Sequence, residues 1–330
     1  MEKIYKWGII GPGRIAQKFA AALKLVPNAV LHAVASRDKG KAEQFARSYQ
    51  ANHFYDNYEA LANNEELDAV YIATPHTFHH AHALLCLQKK RAVLCEKPMS
   101  VNFSSTAEMV LAARENNTFL MEAMWSRFLP IIDKTLQLVN DGTIGDLKYV
   151  SADFGFVAPF DTSSRLYDLK LGGGSLLDVG VYPLFLVLLL LGKPDEIKAF
   201  SQLASTGADE TTAALLFYKN GILASILSSI NAQTPIAAEI TGTKGTIFLD
   251  RPWYKGSEIR VRKNDTITDT FSLPYGDNGF EFQIKEVQEC LEKGLTESDK
   301  MPLGFSLLLS DTMDDICRMG KISYSTAEVR

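Results

Sequence analysis

The stretch "KWGIIGPGRIA", residues 6–16, decides the fold class because it joins an apolar strand to a helix through a glycine turn. The same alternation of apolar strand and short helix repeats as far as "TFLMEAM", with strands such as "VLHAVAS", "LDAVYIATP" and "AVLCEKP". Strands with continuous apolar runs, separated by helices, indicate a parallel sheet that is covered on both faces. Right-handed crossovers then give a doubly wound Rossmann sheet, which binds ligands at the carboxyl ends of its strands.

The turn itself, "GPGRIA", fits the dinucleotide-binding pattern G-x-G-x-x-G/A. Gly11 allows the tight turn, Gly13 lets a pyrophosphate approach the backbone, and Ala16 lets the helix pack closely on its strand. The helix begins at Arg14 and Ile15, where free N–H groups and the positive end of the helix dipole attract phosphate. We therefore expect Gly11, Gly13, Arg14 and Ile15 to bind a nucleotide cofactor.

The sequence changes character from about residue 125. Strands such as "LKYVSADFGFV", "TTAALLFYK" and "GILASILSSIN" follow one another without regular intervening helices, which indicates a large, mainly antiparallel open sheet. The exceptions are the apolar helix in "SLLDVGVYPLFLVLLLLG" and two helices near the end of the chain. We predict an N-terminal Rossmann domain, residues 1–123, and a C-terminal α+β domain for substrate binding and dimerisation, residues 124–330.

The composition excludes several classes of function. The chain has 330 residues, 46% of them hydrophobic and 22% charged, and a net charge of -5. It carries no basic run that would bind nucleic acid, no signal-peptide pattern, and no apolar run near the roughly 20 residues that span a bilayer. The four cysteines lack metal-ligand spacing, so we expect free buried thiols, a cytoplasmic location and no membrane partner.

The end of the second strand, "VASRD", indicates which dinucleotide binds. An NAD enzyme usually places Asp or Glu there to hold the ribose 2′-hydroxyl. Here Ser36 removes the carboxylate that would repel a 2′-phosphate, and Arg37 offers a planar fork to bind it. The alternative is that Asp38 holds the ribose and Arg37 is solvated. We predict NADP rather than NAD.

Polar residues follow two later strands of the predicted sheet. "TPH", Thr74 to His76, and "EKP", Glu96 to Pro98, stand where apolar runs end. The prolines remove an N–H and stop their strands, which directs the neighbouring side chains into the expected cleft. The cofactor-binding prediction therefore extends to Thr74, Pro75, His76, Glu96 and Lys97, and Lys97 is also a candidate catalytic cation.

An acid–base partner for this lysine is expected from "GGGSLLDVGVY" in the second domain. Asp178 and Tyr182 are four residues apart, so on an α-helix they share one face. A polar pair in so apolar a helix is costly if buried without partners, and glycines 172–174 would let the backbone approach a ligand. The alternative is that Asp178 caps the helix and Tyr182 is a core aromatic.

"GPGRIA", "EKPMS" and "LLDVGVY", in this order and spacing, resemble the glucose-fructose oxidoreductase/inositol dehydrogenase (Gfo/Idh/MocA) family. "AVLCEKPMSVN", "LMEAMWSRFLP" and "GGGSLLDVGVYP" look like its dimeric dihydrodiol dehydrogenase branch, which also oxidises D-xylose at C1 with NADP. The resemblance runs over essentially the whole chain and implies that Lys97, Asp178 and Tyr182 are the catalytic group. Many family members carry His at the position of Tyr182, so this tyrosine argues against the inositol dehydrogenase subgroup.

The implied reaction is hydride transfer between NADP and a secondary hydroxyl of a cyclic polyol, either an aldose at C1 or a trans-dihydrodiol. Tyr182 or Lys97 takes the hydroxyl proton, and Asp178 orients Lys97 or a substrate hydroxyl. The sequence leaves open which sugar or diol reacts, in which direction, and which residue finally holds the proton. The alternatives are a family member that reduces a keto- or anhydro-sugar, and a non-catalytic NADP-sensing regulatory protein.

Aromatic faces suit both benzene diols and the C–H faces of sugars. Tyr254 and Phe280 are further candidates for the substrate pocket, and Trp125 is the strongest one. The predicted substrate-binding residues are Trp125, Arg127, Phe154, Asp178, Tyr182 and Trp253.

The cluster "PHTFHHAH" raises the alternative of a metal site, since His79 with His82, or His76 with His80, would share a helix face. No cysteine or clustered carboxylate completes the set, so we expect no metal, with His76 in the cleft and the other histidines at a solvated helix start.

The open sheet of the second domain carries apolar residues on both faces in "ALLFY" and "LASILSSI". Together with the family resemblance, this predicts a homodimer through that sheet.

Overall fold

The computed structural model describes residues 3–276 and 278–324. Within these residues the strands form two sheets, one of six strands and one of eight. The six-stranded sheet is built from β1 (Tyr5–Ile10), β2 (Ala29–Ala35), β3 (His53–Tyr55), β4 (Ala69–Ile72), β5 (Ala92–Glu96) and β6 (Leu120–Ala123). The helices between them are α1 (Arg14–Leu23), α2 (Lys39–Tyr49), α3 (Tyr58–Ala62), α4 (His79–Gln88) and α5 (Phe103–Glu115).

All six strands are parallel, in the order β3-β2-β1-β4-β5-β6. This order reverses direction at β1 and β4, the position where doubly wound sheets bind their ligands. Strands β1, β4, β5 and β6 are almost entirely buried on both faces, whereas the edge strand β3 is exposed. Helix α1 packs on the sheet through Phe19, whose ring stacks on Tyr71 with centroids 3.8 Å apart. The Rossmann part of the predicted fold class is therefore confirmed.

The eight-stranded sheet has the order β14-β13-β12-β11-β7-β10-β9-β8. Its strands are β7 (Leu147–Gly155), β8 (Glu196–Leu203), β9 (Asp209–Phe217), β10 (Leu223–Ser229), β11 (Ala238–Gly242), β12 (Thr246–Leu249), β13 (Glu258–Lys263) and β14 (Thr266–Ser272). Only the β7–β10 pair is parallel. The predicted mainly antiparallel open sheet is thus confirmed as well.

The remaining helices are α6 (Pro130–Asn140), α7 (Val181–Leu191), α8 (Phe280–Glu292) and α9 (Leu303–Gly320). The described residues divide into two compact units, 3–125 with 278–307 and 126–276 with 308–324. Residues 278–307, which the sequence analysis placed in the second domain, belong to the first unit because α8 packs on α1. The backbone N–H of Leu120 on β6 also donates to the carbonyl oxygen of Thr296 at 3.1 Å.

The apolar stretch around α7 is buried inside the second unit. Among the described residues, Leu169–Leu191 is the one helical stretch whose length and mean hydropathy of 2.1 would allow it to cross a membrane. Of its most apolar window, 83% is buried within the protein, as is usual for a core helix. The helix ends at Gly192, whose φ of 71° accounts for the terminal glycine in the sequence.

Candidate functional site

The glycine turn after β1 is shaped by two different constraints. Gly11 has φ +87°, and a Cβ atom there would lie 2.8 Å from Thr74 Cγ2 and 2.9 Å from the Thr74 backbone nitrogen. Gly13 has nothing within 4 Å of such a position, so the space in front of it is open to a ligand. Helix α1 begins directly after Gly13 and has no side-chain cap, which leaves its first N–H groups available. These residues fit the pyrophosphate of a dinucleotide.

The end of β2 holds the residues predicted to select the cofactor. The carboxylate of Asp38 caps α2 by accepting the backbone N–H of Lys41 at 3.1 Å. The Ser36 hydroxyl accepts the backbone N–H of Asp38 at 3.2 Å. The Arg37 guanidinium lies 5.5 Å from the centre of the Phe78 ring, in the position of a cation–π contact. Asp38 therefore has a local role in the helix, while Arg37 presents the cation at this strand end.

His79 connects the two strand ends that carry the next predicted residues. Its Nδ1 lies 2.9 Å from the carbonyl oxygen of Pro98, and its Nε2 lies 2.8 Å from the carbonyl oxygen of Thr74. The side chain is fully buried, and burial lowers the pKa of the imidazole. The prediction of a solvated helix start was wrong for His79 and also for His82, which is buried and bonded to the Thr74 hydroxyl at 3.0 Å.

The other histidines have partners of their own. His80 Nε2 lies 2.8 Å from the Glu108 carboxylate, and the rings of His76 and His79 pack edge to face with centroids 5.6 Å apart. Burial lowers the pKa of His82 to about 4, so this imidazole is neutral at physiological pH. His76 itself is buried at the start of a short helical turn that follows Pro75. Each of these four histidines therefore contacts other groups of the same unit.

Glu96 and Lys97 follow the carboxyl end of β5. The carboxylate of Glu96 is buried and accepts a hydrogen bond from the hydroxyl of Tyr71 on β4. Lys97 is half-buried between this glutamate and the buried Pro98. Its position at the mouth of an apolar strand is therefore not that of a freely solvated surface lysine.

Glu122 on β6 is a buried carboxyl that the sequence analysis did not single out. It accepts the backbone N–H of Met99 at 2.9 Å, and so holds the segment that follows Lys97. Burial raises the pKa of Glu122 to about 7, although the Met99 N–H opposes this shift. Its only sequence signal was one acidic residue in the otherwise apolar strand "FLMEAM".

In the second unit, Asp178 is paired with a residue that the sequence analysis missed. Arg165 binds its carboxylate in a two-pronged ion pair, with Nη1–Oδ1 at 3.0 Å and Nη2–Oδ2 at 3.3 Å. Asp178 is 9% exposed, so this pairing offsets the cost of burying a carboxylate. The turn that carries it, Leu176–Gly180, is π-helical and precedes α7, so the predicted α-helical spacing to Tyr182 does not hold.

The π-helical turn is fixed by a buried carboxylate, Asp209. It accepts the backbone N–H of Leu176 at 2.8 Å and the hydroxyl of Ser175 at 2.7 Å. A Cβ atom on Gly174 would lie 2.1 Å from Asp209 Oδ1, and one on Gly173 would lie 2.8 Å from the Arg165 carbonyl oxygen. The prediction that these glycines admit a ligand was wrong for Gly173 and Gly174, because their own chain fills the space.

Tyr182 belongs to a cluster of three aromatic rings. The Phe154 ring is 5.7 Å from that of Tyr182 and stacks on Tyr254 at 4.3 Å, and Tyr182 and Tyr254 are 5.3 Å apart. Trp253 has no exposed surface, and its indole N–H donates to the Asp153 carbonyl oxygen at 2.9 Å. This complete burial leaves Trp253 no surface for the predicted contact with substrate, and the ring that packs beside Tyr182 is that of its neighbour Tyr254.

Two further predicted residues flank the division between the units. Trp125 stacks on Phe280 of the first unit, with ring centroids 5.1 Å apart. Arg127, in the second unit, forms an ion pair with Asp133 at 2.7 Å. Trp125 is 6% and Arg127 8% exposed, much as Tyr182 and Phe154 are, and their predicted contact with substrate stays a prediction.

Comparison with known proteins extends over the whole chain. Residues 5–124 match the family model described as oxidoreductase family, NAD-binding Rossmann fold, and residues 132–248 match the GFO/IDH/MocA C-terminal domain. The trans-1,2-dihydrobenzene-1,2-diol dehydrogenase of Bos taurus is 36% identical over 332 residues, covering 97% of this chain and 98% of that protein. The Homo sapiens protein of the same name is 35% identical over 320 residues, covering 94% of this chain and 95% of its own.

Two solved structures share the fold over nearly the whole length of both chains. A 3-ketoreductase from Actinomadura kijaniata, in complex with NADP and TDP-benzene, has a TM-score of 0.88 at 24% identity and covers 97% of this chain and 99% of its own. An aldose-aldose oxidoreductase from Caulobacter crescentus, complexed with glycerol, has a TM-score of 0.87 at 24% identity and covers 97% and 98%. With both family models matched, this chain is an NAD(P)-dependent oxidoreductase of the Gfo/Idh/MocA family.

Proposed function

We propose that this enzyme transfers a hydride between NADP and a secondary hydroxyl of a cyclic polyol, an aldose at C1 or a trans-dihydrodiol. Two features of the second unit carry the proposal: the cluster of the Phe154, Tyr182 and Tyr254 rings, and the buried Asp178 carboxylate held by Arg165. The ring faces suit the apolar face of a six-membered ring, and the charged pair suits its hydroxyls. The near full-length relatives named as dihydrodiol dehydrogenases support the same substrate class.

In the proposed reaction Tyr182, Lys97 and Asp178 have different roles in proton transfer and substrate binding. Tyr182 accepts the hydroxyl proton as the carbon–oxygen bond becomes a carbonyl. A bound NADP would supply the hydride acceptor for the same carbon. A phenol with an ordinary pKa of about 10 is a poor base at neutral pH. The ammonium of Lys97 would favour the tyrosinate form, and general-base help of this kind contributes about 10²- to 10⁴-fold. Asp178, oriented by Arg165, would bind a substrate hydroxyl.

The decisive experiment measures NADP reduction across aldoses, inositols and dihydrodiols for the wild type and for Lys97→Met. We expect oxidation of a cyclic polyol by the wild type and a loss of at least a hundredfold in kcat for the variant, with nearly unchanged NADP affinity. The exposed Lys89→Met is the matched control and should behave as wild type. Retained turnover in Lys97→Met would overturn the mechanism. Activity only in the direction of reduction, or NADP binding without turnover, would favour the alternatives named above.

We infer that NADP is preferred over NAD because of the residues at the end of β2. Asp38 is occupied as the cap of α2, and the guanidinium beside it belongs to Arg37. Hydrogen bonds between charged groups are worth about 1.5–3 kcal/mol, so losing them from a 2′-phosphate costs roughly 10- to 150-fold. Arg37→Ala should lower kcat/KM for NADP by that factor and leave kcat/KM for NAD unchanged. An equal loss with both cofactors would contradict the assignment.

We also propose a homodimer through the open face of the eight-stranded sheet. Alternate residues of β8, β9 and β10 are buried, whereas Phe200 is 83%, Leu215 50% and Leu223 45% exposed. An apolar surface of this kind marks an interaction site. Sedimentation should give a dimer for the wild type and a monomer for Phe200→Glu with Leu215→Glu. Leu111→Glu, at an equally exposed position on α5, is the control, and a dimeric double variant would exclude this surface.

A further inference from the structure

A cluster of metal-ligating side chains lies towards the amino ends of the strands of the first unit. It consists of His32 on β2, His53 at the start of β3 and Glu66 in the turn before β4. The glycine turn and the other predicted cofactor residues follow the carboxyl ends of these strands. The cluster is therefore separate from the candidate site described above.

A β-bulge turns His32 towards this cluster. In the β1–β2 ladder Trp7 pairs with Leu31 and Gly8 with Ala33, so His32 is the extra residue between them. Bulges of this kind redirect a side chain. Here the imidazole is 4% exposed, and its Nε2 points to the Glu66 carboxylate at 3.7 Å, too far for a hydrogen bond. Among the described residues, this Nε2 is one of the few buried side-chain nitrogens that have no hydrogen-bond partner.

The three ligand atoms have nearly the spacing that one ion requires. They all lie within 4.8 Å of one another, and the rings of His32 and His53 are 4.9 Å apart at 65°. Zinc binds imidazole nitrogen and carboxylate oxygen at about 2.0–2.2 Å, so two of its tetrahedral ligands are roughly 3.4 Å apart. The 3.7 Å between His32 and Glu66 is close to this value. His53 and Glu66 are exposed side chains and can close the remaining gap by rotation.

We propose that His32, His53 and Glu66 bind a single zinc ion, with water in the fourth position. Two imidazoles and one carboxylate form a ligand set that suits Zn²⁺ better than Mg²⁺ or Ca²⁺, which prefer oxygen ligands. Such an ion ties the edge strand β3 to β2 and to the turn before β4. A cavity of about 600 Å³, lined by His32, His53 and Glu66, gives it a path from solvent.

The charged groups around the cluster set the conditions for binding. The Lys6 ammonium is 2.5 Å from Glu66 Oε2, and Lys24 also lines the cavity. An ion must displace Lys6 or use the other oxygen of Glu66, so the two lysines weaken the site without closing it. Lys6→Gln should therefore bind zinc more tightly than the wild type.

The test uses the full chain, treated with EDTA and dialysed, in calorimetric titrations with ZnCl₂ and MgCl₂. We expect one zinc per chain, a higher Tm with zinc and no effect of magnesium. The exposed His53→Ala should weaken zinc binding at least tenfold without altering the Tm of the metal-free protein. His80→Ala, which removes a histidine paired with a glutamate elsewhere on this unit, is the matched control and should bind zinc as the wild type does.

Cobalt gives a second readout that does not depend on activity. The Co²⁺-loaded wild type should show a visible absorption band of a four-coordinate ion, and this band should be missing in His53→Ala and present in His80→Ala. No zinc binding by the wild type, or equal binding by His53→Ala, would overturn the proposal. Binding that His80→Ala abolishes would place the ion at the other histidine cluster and would overturn it as well.

Discussion

Glu122 on β6 accepts the backbone N–H of Met99, two residues beyond Lys97, over 2.9 Å. The carboxyl group is fully buried beneath the segment that carries the proposed catalytic lysine, and burial raises its pKa to about 7. A protonated Glu122 still accepts this N–H, whereas the ionised form must be held in an apolar surrounding. Protonation of Glu122 is therefore linked to the stability of the first unit.

We predict that Glu122→Gln removes a pH dependence of the free energy of unfolding. Between about pH 4.5 and 7 the folded protein holds one proton that the unfolded chain has lost, so stability falls as pH rises. The free energy of unfolding should fall by about 3 kcal/mol in all, and the fall should be complete above pH 7. Gln accepts the Met99 N–H without ionising, so urea denaturation should show this variant more stable than wild type at pH 8 and similar at pH 4.5. The exposed Glu115→Gln is the control, and parallel profiles of wild type and Glu122→Gln would refute the linkage.

Replacing the two glycines of the first turn by alanine should separate folding from cofactor binding. Gly11→Ala forces a side chain into φ +87° and against the backbone of Thr74, so the free energy of unfolding should fall by about 2 kcal/mol or more. At Gly13 the φ angle is -90° and a Cβ atom would meet open space, so the free energy of unfolding of Gly13→Ala should lie within about 0.5 kcal/mol of the wild-type value. Fluorescence titration should nevertheless show NADP bound at least tenfold more weakly by Gly13→Ala. Wild-type affinity in that variant would show that no ligand approaches this turn.

The fold and the strand-end residues were predictable because their signals are local. An apolar run that stops at Ser36, Thr74 or Glu96 marks the carboxyl end of a strand, and parallel strands bring such ends to one edge of the sheet. The glycine motif is also a local signal, because the strand, the turn and the start of the helix follow one another directly in the sequence. The apolar residues on both faces of "ALLFY" and "LASILSSI" likewise indicated an open sheet in the second domain, although they did not indicate which of its faces is open.

The partners of these residues were not predictable, because they come from distant parts of the chain. Arg165 reaches Asp178 across 13 residues of irregular chain with no periodic pattern. Asp209, at the start of β9, binds Leu176 in the π-helical turn, 33 residues earlier in the chain. The solvated position predicted for His79 was wrong, and the pocket position predicted for Trp253 is a buried one, because an amphipathic side chain buries readily once its polar atoms find backbone carbonyls. Only the acidic residue in β6, Glu122, was visible as an anomaly in the sequence.

We predict that His79→Ala loosens both strand-end segments at once. A neutral imidazole carries one N–H and faces two carbonyl oxygens, those of Thr74 and Pro98, which are left in an apolar surrounding when the ring is removed. A buried polar group without a partner costs about 1–3 kcal/mol, and the lost ring adds a cavity. The free energy of unfolding of His79→Ala should therefore be about 3 kcal/mol lower than that of the wild type, and its kcat should also be lower. The control His80→Ala should retain the wild-type stability and kcat. Unchanged kcat in folded His79→Ala would mean that the ring serves stability alone.

The Arg165–Asp178 pair should act as one unit in catalysis. Arg165→Met leaves the 9% exposed carboxylate of Asp178 without its two charged hydrogen bonds, so we expect a loss of about 1–3 kcal/mol in stability. It should also lower kcat/KM for the polyol, because Asp178 then loses the two contacts through which Arg165 holds its carboxylate in the position that the substrate needs. If Arg165 works through Asp178, adding Arg165→Met to Asp178→Asn should reduce kcat/KM by less than twofold. Arg165→Lys, which retains one of the two contacts, should recover part of the activity, whereas independent losses in the double variant would show that Arg165 meets the substrate itself.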